Sequence, residues 1–600
     1  MAGKSRSSRL LREDQCTSKI TVQPLDDSDV KHLLLSLKDL VSSALGPTGR
    51  LKFFQTSSGG YVTVTSTSSR IFHSLSSLSH PILRLILSAV RGHLDAYSDG
   101  GLRTALLLLS LLQSSLDLPV PRALVTQINQ HLLEAIINHL QSCCWKMKIN
   151  IGDMKSMLSI VNSIVGTKPA CHLSETEKRH VSVLIIQAFL QSLPSSTNKA
   201  PSASLKQTVP VQIVTFEGES VKDSKVLPGI LIHTPEISTF RQCGRTLVSH
   251  GAKVALYNVS MAGDTDEWFS SNIKTETVSG SYDFSAANIV LLQLLKVVDC
   301  LLDSGVNVIA CQKCVHPALK RYLRDKGAFV LERLSILHIS AVQRLTGASI
   351  LSTFNTDTPE SSFGQLGKIE HVVLNDKSYL HLLPQSSQES PYVCTLLLCS
   401  SDETSLDELK IVCEASMVAL HETLACPYVL PGAGCLDTHL ASFLRQYGYN
   451  SGSKIATEFG CTKGQVVTVI NNVASSLESL ARSLEHDGGG HLTDSANQHH
   501  WSVPPGALEL KPSMPCCTCG LVSHDETMWW SIMGDIEGCV LQDSCDGEIN
   551  HCYTPDAGEK TFDNSVLDMF SMKTNCYRTA FETANAILRV HCVICSSIAD

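Results

Sequence analysis

No stretch of the sequence approaches the roughly 18 uninterrupted apolar residues that a membrane helix needs. The longest apolar run, Ala105 to Leu112, already contains Ser110. The basic start, Met1 to Arg12, lacks an apolar core, so a signal peptide is not expected and a poorly ordered, solvated terminus is. Charge is sparse at 18%, and 48 basic residues face 57 acidic ones, a net of −9. That balance argues against a nucleic-acid-binding protein. A loop of the G-x-x-x-x-G-K-[ST] type is missing, so one common phosphate cradle is excluded. No internal repeat is visible. What the chain does have is cysteine, 23 in all, odd in number and scattered without a repeated spacing. Secreted disulfide frameworks are short, dense and even-numbered, so reduced thiols and an intracellular, cytoplasmic setting are expected. Six hundred residues with 43% hydrophobic content point to several globular domains.

The first 150 residues read as helical. Val30, Leu33, Leu34, Leu37, Leu40, Val41 and Ala44 recur at three- and four-residue steps, with acidic Asp26, Asp27 and Asp29 ahead of them and Gly46-Pro47 behind. Further helices are expected at His80–Leu94, Leu102–Leu112 and Leu124–Leu140. Between about 210 and 375, short β-rich runs (Val211–Phe216, Gly229–His233, Lys253–Asn258, Val306–Cys311, Ala328–Leu331) alternate with helical ones (Ala286–Ser304, Pro317–Lys326), the pattern of an α/β domain. Residues 260–283 read as a loop or protrusion. Ser405 to Glu408 forms a capping-box pattern before a helix running to Leu424, and a closing helix is expected at Asn575–Val590.

Three Gly-rich turns lie beside helices: Leu45-Gly-Pro-Thr-Gly-Arg-Leu-Lys52, Ser98-Asp-Gly-Gly101 and Leu430-Pro-Gly-Ala-Gly434. Free backbone N–H groups and the helix dipole suit such turns to phosphate, although a lone example is usually just a cap. In this order they resemble the nucleotide site of group II chaperonin subunits, the family of the eukaryotic cytosolic ring and the archaeal thermosome. Leu227-Pro-Gly-Ile-Leu-Ile232, Asn307-Val-Ile-Ala-Cys-Gln-Lys313, Tyr322-Leu-Arg-Asp-Lys-Gly327, Leu345-Thr-Gly-Ala348 and Glu582-Thr-Ala-Asn-Ala-Ile-Leu-Arg589 resemble other segments of that family.

The resemblance implies an α+β multidomain chain: a helical equatorial domain (1–148 and 411–600), a small intermediate domain (149–212 and 376–410) and an α/β apical domain (213–375). A long insertion at about 487–565 interrupts the equatorial part and is expected to obstruct or replace a ring contact. Nucleotide and Mg²⁺ binding, weak or absent, is expected through Gly46, Pro47, Asp99, Gly100, Gly432 and Gly434, with Asp99 as the Mg²⁺ ligand. The family's turn reads Gly-Asp-Gly-Thr-Thr. Here Gly101 and Leu102 replace both phosphate-reaching threonines. Ser66-Thr67-Ser68 stands where the family has Asn-Asp-Gly, and the water-activating aspartate falls on Ala415. A methyl group cannot orient water or accept its proton, so no catalytic residue and no efficient ATPase activity are expected.

Lys168-Pro-Ala-Cys171, His180-Val-Ser182, Ser483-Leu-Glu-His-Asp-Gly-Gly489, Trp501-Ser-Val503 and Glu582-Thr-Ala-Asn585 narrow the resemblance to the divergent McKusick-Kaufman/Bardet-Biedl branch of chaperonin-like proteins. That branch implies assembly of the ciliary BBSome, together with other divergent chaperonin-like proteins and cytosolic chaperonin subunits, at the centrosome and basal body. Three functions stay open: a non-hydrolysing assembly chaperone, which Ala415, Gly101 and Leu102 favour; an ATP-driven folding chaperonin; and a centrosomal scaffold. Cys516 and Cys519 could form one arm of a zinc site, but Cys539, Cys545 and Cys552 supply no matching second arm, so no zinc is expected. His486, His491, His499 and His500 around Gly488-Gly489-Gly490 read as a solvated turn, and Trp529-Trp530 as pinning the insertion to its own domain rather than anchoring a partner.

Overall fold

The computed structural model describes residues 19–55, 62–78, 80–193, 211–233, 246–248, 251–263, 286–354, 358–385, 393–495, 497–505, 514–524, 528–533, 562 and 565–595. Most of the 260–283 loop, the basic start, and Cys539, Cys545 and Cys552 lie outside them. The chain divides into two compact units, one of residues 1–173 with 411–600 and the other of residues 174–410.

The first unit is helical. Its centre is the helix Gly101–Leu116, whose leucines Leu106, Leu107, Leu108, Leu111 and Leu112 are all fully buried. A helix apolar all round has no face to offer water and must be surrounded. It is enclosed by Ser28–Ser42, Pro81–Tyr97, Lys463–Arg482 and Phe570–Leu588, with Arg122–Ser142 alongside. The expected stripe from Val30 is the inner face of Ser28–Ser42, where Val30, Leu34, Leu37 and Val41 are buried. Asp27 caps that helix by accepting the Asp29 N–H at 2.9 Å. Among the boundaries that differ from expectation are two helix starts. Helix Glu403–Ala425 begins ahead of Ser405, because Asp402 accepts the Ser405 N–H at 2.8 Å and is the cap itself. The closing helix begins at Phe570, directly after the strand Leu567–Met569.

The second unit is α/β. Parallel strands run in the order Phe329–Leu331, Val306–Cys311, Ala252–Tyr257, Ile350–Leu351, with Gly364–Leu366 antiparallel beside Ala252–Tyr257. Side chains alternate between faces along a strand. Val254, Leu256, Val308 and Ala310 therefore pack on helix Ile336–Thr346, while Ala255, Tyr257, Ile309 and Cys311 pack on helices Ala286–Asp303 and Pro317–Asp325. Coverage on both faces explains why these strands read as continuous apolar runs.

One pair of side chains makes the helical unit sensitive to acid. His139 and His439 place their Nε2 atoms 3.0 Å apart, and His139 stacks on Phe443 with ring centres at 3.8 Å. Burial holds His139 at about 4, and burial with the neighbouring imidazole holds His439 at about 3. The unfolded chain takes up a proton at each near the ordinary value of about 6.5, so below that pH it binds more protons than the folded chain. Stability is therefore full above about 6.5 and falls as pH drops towards 4, by at most about 1.4 kcal/mol per pH unit for each group. Denaturant titrations at pH 7, 6 and 5 should show the fall, and His139→Phe should flatten it. An unchanged slope in the variant would assign the acid sensitivity to other groups.

Candidate nucleotide cavity and the family it belongs to

The three Gly-rich turns converge on one cavity of about 420 Å³ in the helical unit. Gly46 and Pro47 follow the end of helix Ser28–Ser42, and His486 Nε2 donates to the Leu45 carbonyl at 2.7 Å, tying the first turn to the chain after helix Lys463–Arg482. The second turn joins Pro81–Tyr97 to Gly101–Leu116. Ser98 (φ +58) and Gly100 (φ +77) both adopt left-handed backbone there, so Ser98 carries a strain that the glycine of the resembling motif would not. In the third turn Ala433 (φ +50) and Gly434 (φ +81) are consecutive left-handed residues ahead of helix Cys435–Phe459. A Cβ on Gly434 would lie 2.9 Å from Ala481 Cα, so this helix start sits tight against its neighbour.

Gly46, Pro47, Asp99, Gly100 and Gly434 line the cavity, as do Leu102 and Ser68. Gly432 does not. It faces Val566 and donates its N–H to the Val566 carbonyl at 2.8 Å, so that group is not free for a phosphate. Ala415 is buried on helix Glu403–Ala425 and is absent from the lining. Ser66 accepts the Ala170 N–H at 3.3 Å. At Gly101 a Cβ would come within 2.8 Å of Leu94, so Gly101 is packed against the preceding helix and a threonine there would need Leu94 to move.

Among the described residues, three carboxylates reach the cavity, and each is engaged. Asp99 takes the Lys168 ammonium at 3.0 Å. Burial alone would raise the Asp99 pKa, but the Lys168 charge and hydrogen bond, with the Gly100 N–H, hold it below the usual carboxylate range. Asp568 binds the fully buried Lys573 ammonium at 2.7 Å, and Glu485 accepts the Asp487 N–H at 2.7 Å. Lys168 follows helix Met154–Val165, with Asn162, Ser163 and Thr167 beside it in the wall. Lys168 belongs to the segment Lys168-Pro-Ala-Cys171, which by itself points to no role for it. Nothing in its local pattern places it against Asp99, 69 residues earlier.

Part of the insertion forms the opposite wall. Gly490–Asp494, His500–Val503 and Trp530–Ile532 make a three-stranded antiparallel sheet, and His491, His500, Ser502 and Thr518 line the cavity. This corrects the expectation of a solvated histidine turn. His499 and His500 are wholly buried and His491 nearly so. The two tryptophans divide: Trp530 packs edge-on against Trp501 with ring centres at 4.7 Å, whereas Trp529 is 71% exposed. Cys516 turns towards Ser523, and it is Cys517 that lies beside Cys519, at 3.3 Å between sulfurs. No helix among the described residues is long and apolar enough to cross a membrane.

The TCP-1/cpn60 chaperonin family pattern matches residues 37–597. The chain is 33% identical over 577 residues to the molecular chaperone MKKS of Mus musculus, covering 95% of this chain and 97% of that one, and the Homo sapiens protein matches to the same extent. Thermosome subunit alpha of Sulfolobus acidocaldarius is 25% identical over 441 residues, 70% of this chain and 74% of its own. The match runs through all three cavity turns and the whole of the α/β unit, and on that evidence this chain belongs to the TCP-1/cpn60 chaperonin family.

Proposed function

We propose that this chain is a chaperonin-like molecular chaperone that works without efficient ATP hydrolysis, helping to assemble a multi-subunit complex. The observation that carries the proposal is the state of the cavity's carboxylates. Asp99, the residue expected to hold Mg²⁺, already has the Lys168 ammonium as its counter-ion. Among the described residues, the cavity's other two carboxylates also have partners: Asp568 pairs with Lys573 and Glu485 accepts a backbone N–H. Leu102 presents an aliphatic side chain at the helix N-terminus where a hydroxyl would be needed. A nucleotide's metal would have to displace an ammonium already in place, at a cost in affinity.

The similarity to MKKS, a molecular chaperone by name, supports the chaperone part of the reading. BBSome components as clients, other divergent chaperonin-like proteins and cytosolic chaperonin subunits as partners, and a place at the centrosome and basal body in the cytoplasm complete the proposal. They rest on the motif resemblance to the McKusick-Kaufman/Bardet-Biedl branch. The cavity itself, which keeps the Gly turns and Asp99, favours a second reading as an ATP-driven folding chaperonin.

A single-turnover assay with radiolabelled ATP separates the two. The purified chain should release phosphate no faster than its Asp99→Ala variant. Turnover that vanishes in Asp99→Ala would overturn the non-hydrolysing reading. Capture of the chain from ciliated cells should recover chaperonin subunits and partly built BBSome. Recovery as a closed homo-oligomer with neither would remove the assembly role.

A further inference from the structure

Cys435, His499, Cys517 and Cys519 bring four potential ligand atoms within 4.8 Å of one another, and all four side chains are buried. His499 Nδ1 lies 3.4 Å from Cys517 Sγ and 3.4 Å from Cys519 Sγ, and the two sulfurs are 3.3 Å apart. A zinc ion with bonds of about 2.3 Å to sulfur and 2.0–2.1 Å to nitrogen has its tetrahedral ligands about 3.5–3.8 Å from each other. The observed separations are close to those edges and far from the roughly 2.05 Å of a disulfide.

Each donor is positioned by its own element. Cys435 is the first residue of helix Cys435–Phe459, where the dipole favours a thiolate. His499 is held by its backbone N–H on Asp494 Oδ1 at 2.8 Å and by the Trp145 ring, centred 4.2 Å away. Cys517 accepts the Val522 N–H at 3.2 Å, a hydrogen bond that fixes the sulfur and stabilises its negative charge.

Against the expectation of no zinc, we propose that these four residues form a closed Cys₃His zinc site that fastens the insertion to the third Gly-rich turn. Three sulfurs and an imidazole suit a borderline-soft ion of tetrahedral preference, and a full set of four protein ligands makes the site structural, with no position left for substrate. Binding releases the thiol protons, so metal affinity falls with acid. The insertion also needs a fastening: its sheet has strands of five, four and three residues over a small core of Cys435, Trp501, Cys517 and Cys519. Thr518 lies between two of the ligands and lines the cavity, so the ion would set the position of that wall. The site does not depend on whether the chain binds or hydrolyses nucleotide.

The test is the zinc content of the full-length chain, by elemental analysis after dialysis, with cobalt(II) titration of the chelator-treated protein. One zinc per chain is expected in the natural chain and in Cys516→Ser, and loss of that ion in Cys435→Ala and in Cys519→Ser. Cobalt should give the absorption of a tetrahedral three-thiolate site, and His499→Cys should keep the metal while shifting the spectrum. Should the alanine and serine variants fail to fold, the natural chain's cobalt spectrum and the retained metal of His499→Cys still decide. A natural chain without zinc that takes up no tetrahedral cobalt would overturn the proposal, as would zinc undiminished in a folded Cys435→Ala.

Discussion

Asp437→Ala is expected to destabilise the helical unit by about 3–5 kcal/mol, the range for stripping one partner from a buried ion network. Asp437 lies on the first turn of helix Cys435–Phe459 with its side chain fully buried. It pairs with Arg103, accepts a hydrogen bond from Tyr577 at 2.7 Å and stands 3.8 Å from the Lys573 ammonium. Burial and the Arg103 charge already push Lys573 down to about 8, partly countered by Asp568. Removing Asp437 leaves two buried cations facing Asp568 alone. Denaturant unfolding followed by tryptophan fluorescence reads this unit, because four of the five tryptophans (Trp145, Trp501, Trp529, Trp530) belong to it. Adding Lys573→Met to Asp437→Ala should recover part of the loss, since it removes one uncompensated charge. A loss within about 0.5 kcal/mol, typical of a surface change, would mean that the network is solvated and structurally idle.

Gly229→Ala is the second large effect, expected to cost the α/β unit about 2–5 kcal/mol by summing a left-handed backbone penalty of 1–2 with overpacking of 1–3. Gly229 has φ +77, and a Cβ there would stand 2.0 Å from the Leu382 carbonyl oxygen. It is the joint at which the chain leaves one sheet for another: Lys225–Pro228 pairs with Cys394–Ser400, and Ile230–His233 pairs with Lys377–Leu383. Its own N–H donates to Val393 at 3.1 Å, and its carbonyl accepts from Thr395 Oγ1 at 2.9 Å. An alanine must therefore push two strands apart. Gly218→Ala is the control, for it has a similar φ of +97 with open space around it, so only the backbone penalty applies. Hydrogen exchange across Ile230–His233 and Lys377–Leu383 should rise in both variants, and markedly more in Gly229→Ala than in Gly218→Ala. Equal effects in the two variants would show that the close approach contributes nothing.

Leu227-Pro-Gly-Ile-Leu-Ile232 illustrates what was legible and why. Its apolar residues and its Gly-Pro punctuation are local properties, so a strand at 230–233 could be read directly. The reason for the glycine could not, because Leu382 approaches from more than 150 residues away. The cavity divides in the same way. The three Gly-rich turns were legible because turn chemistry is local, and Gly46, Pro47, Asp99, Gly100 and Gly434 do come together. Gly432 belongs to the same turn, yet its N–H is spent on Val566, a partnership that the sequence does not announce.

By itself, the sequence placed several of the helices, part of the strands of the α/β unit and the Gly-rich turns, since periodicity, capping and turn chemistry act over a few residues, and the order of its motifs along the chain marked a chaperonin family. Only the tertiary structure decided that Lys168 neutralises Asp99, that Asp437 balances Arg103 and Lys573, and that Cys517 rather than Cys516 joins Cys519, His499 and Cys435. Cys516 and Cys517 are adjacent, with the same chemistry and nearly the same spacing to every other cysteine. What distinguishes them is their surroundings: Cys516 is bridged to Ser523 and half-buried, whereas Cys517 is buried with Cys435, Trp501 and Cys519, a difference set by residues distant in sequence.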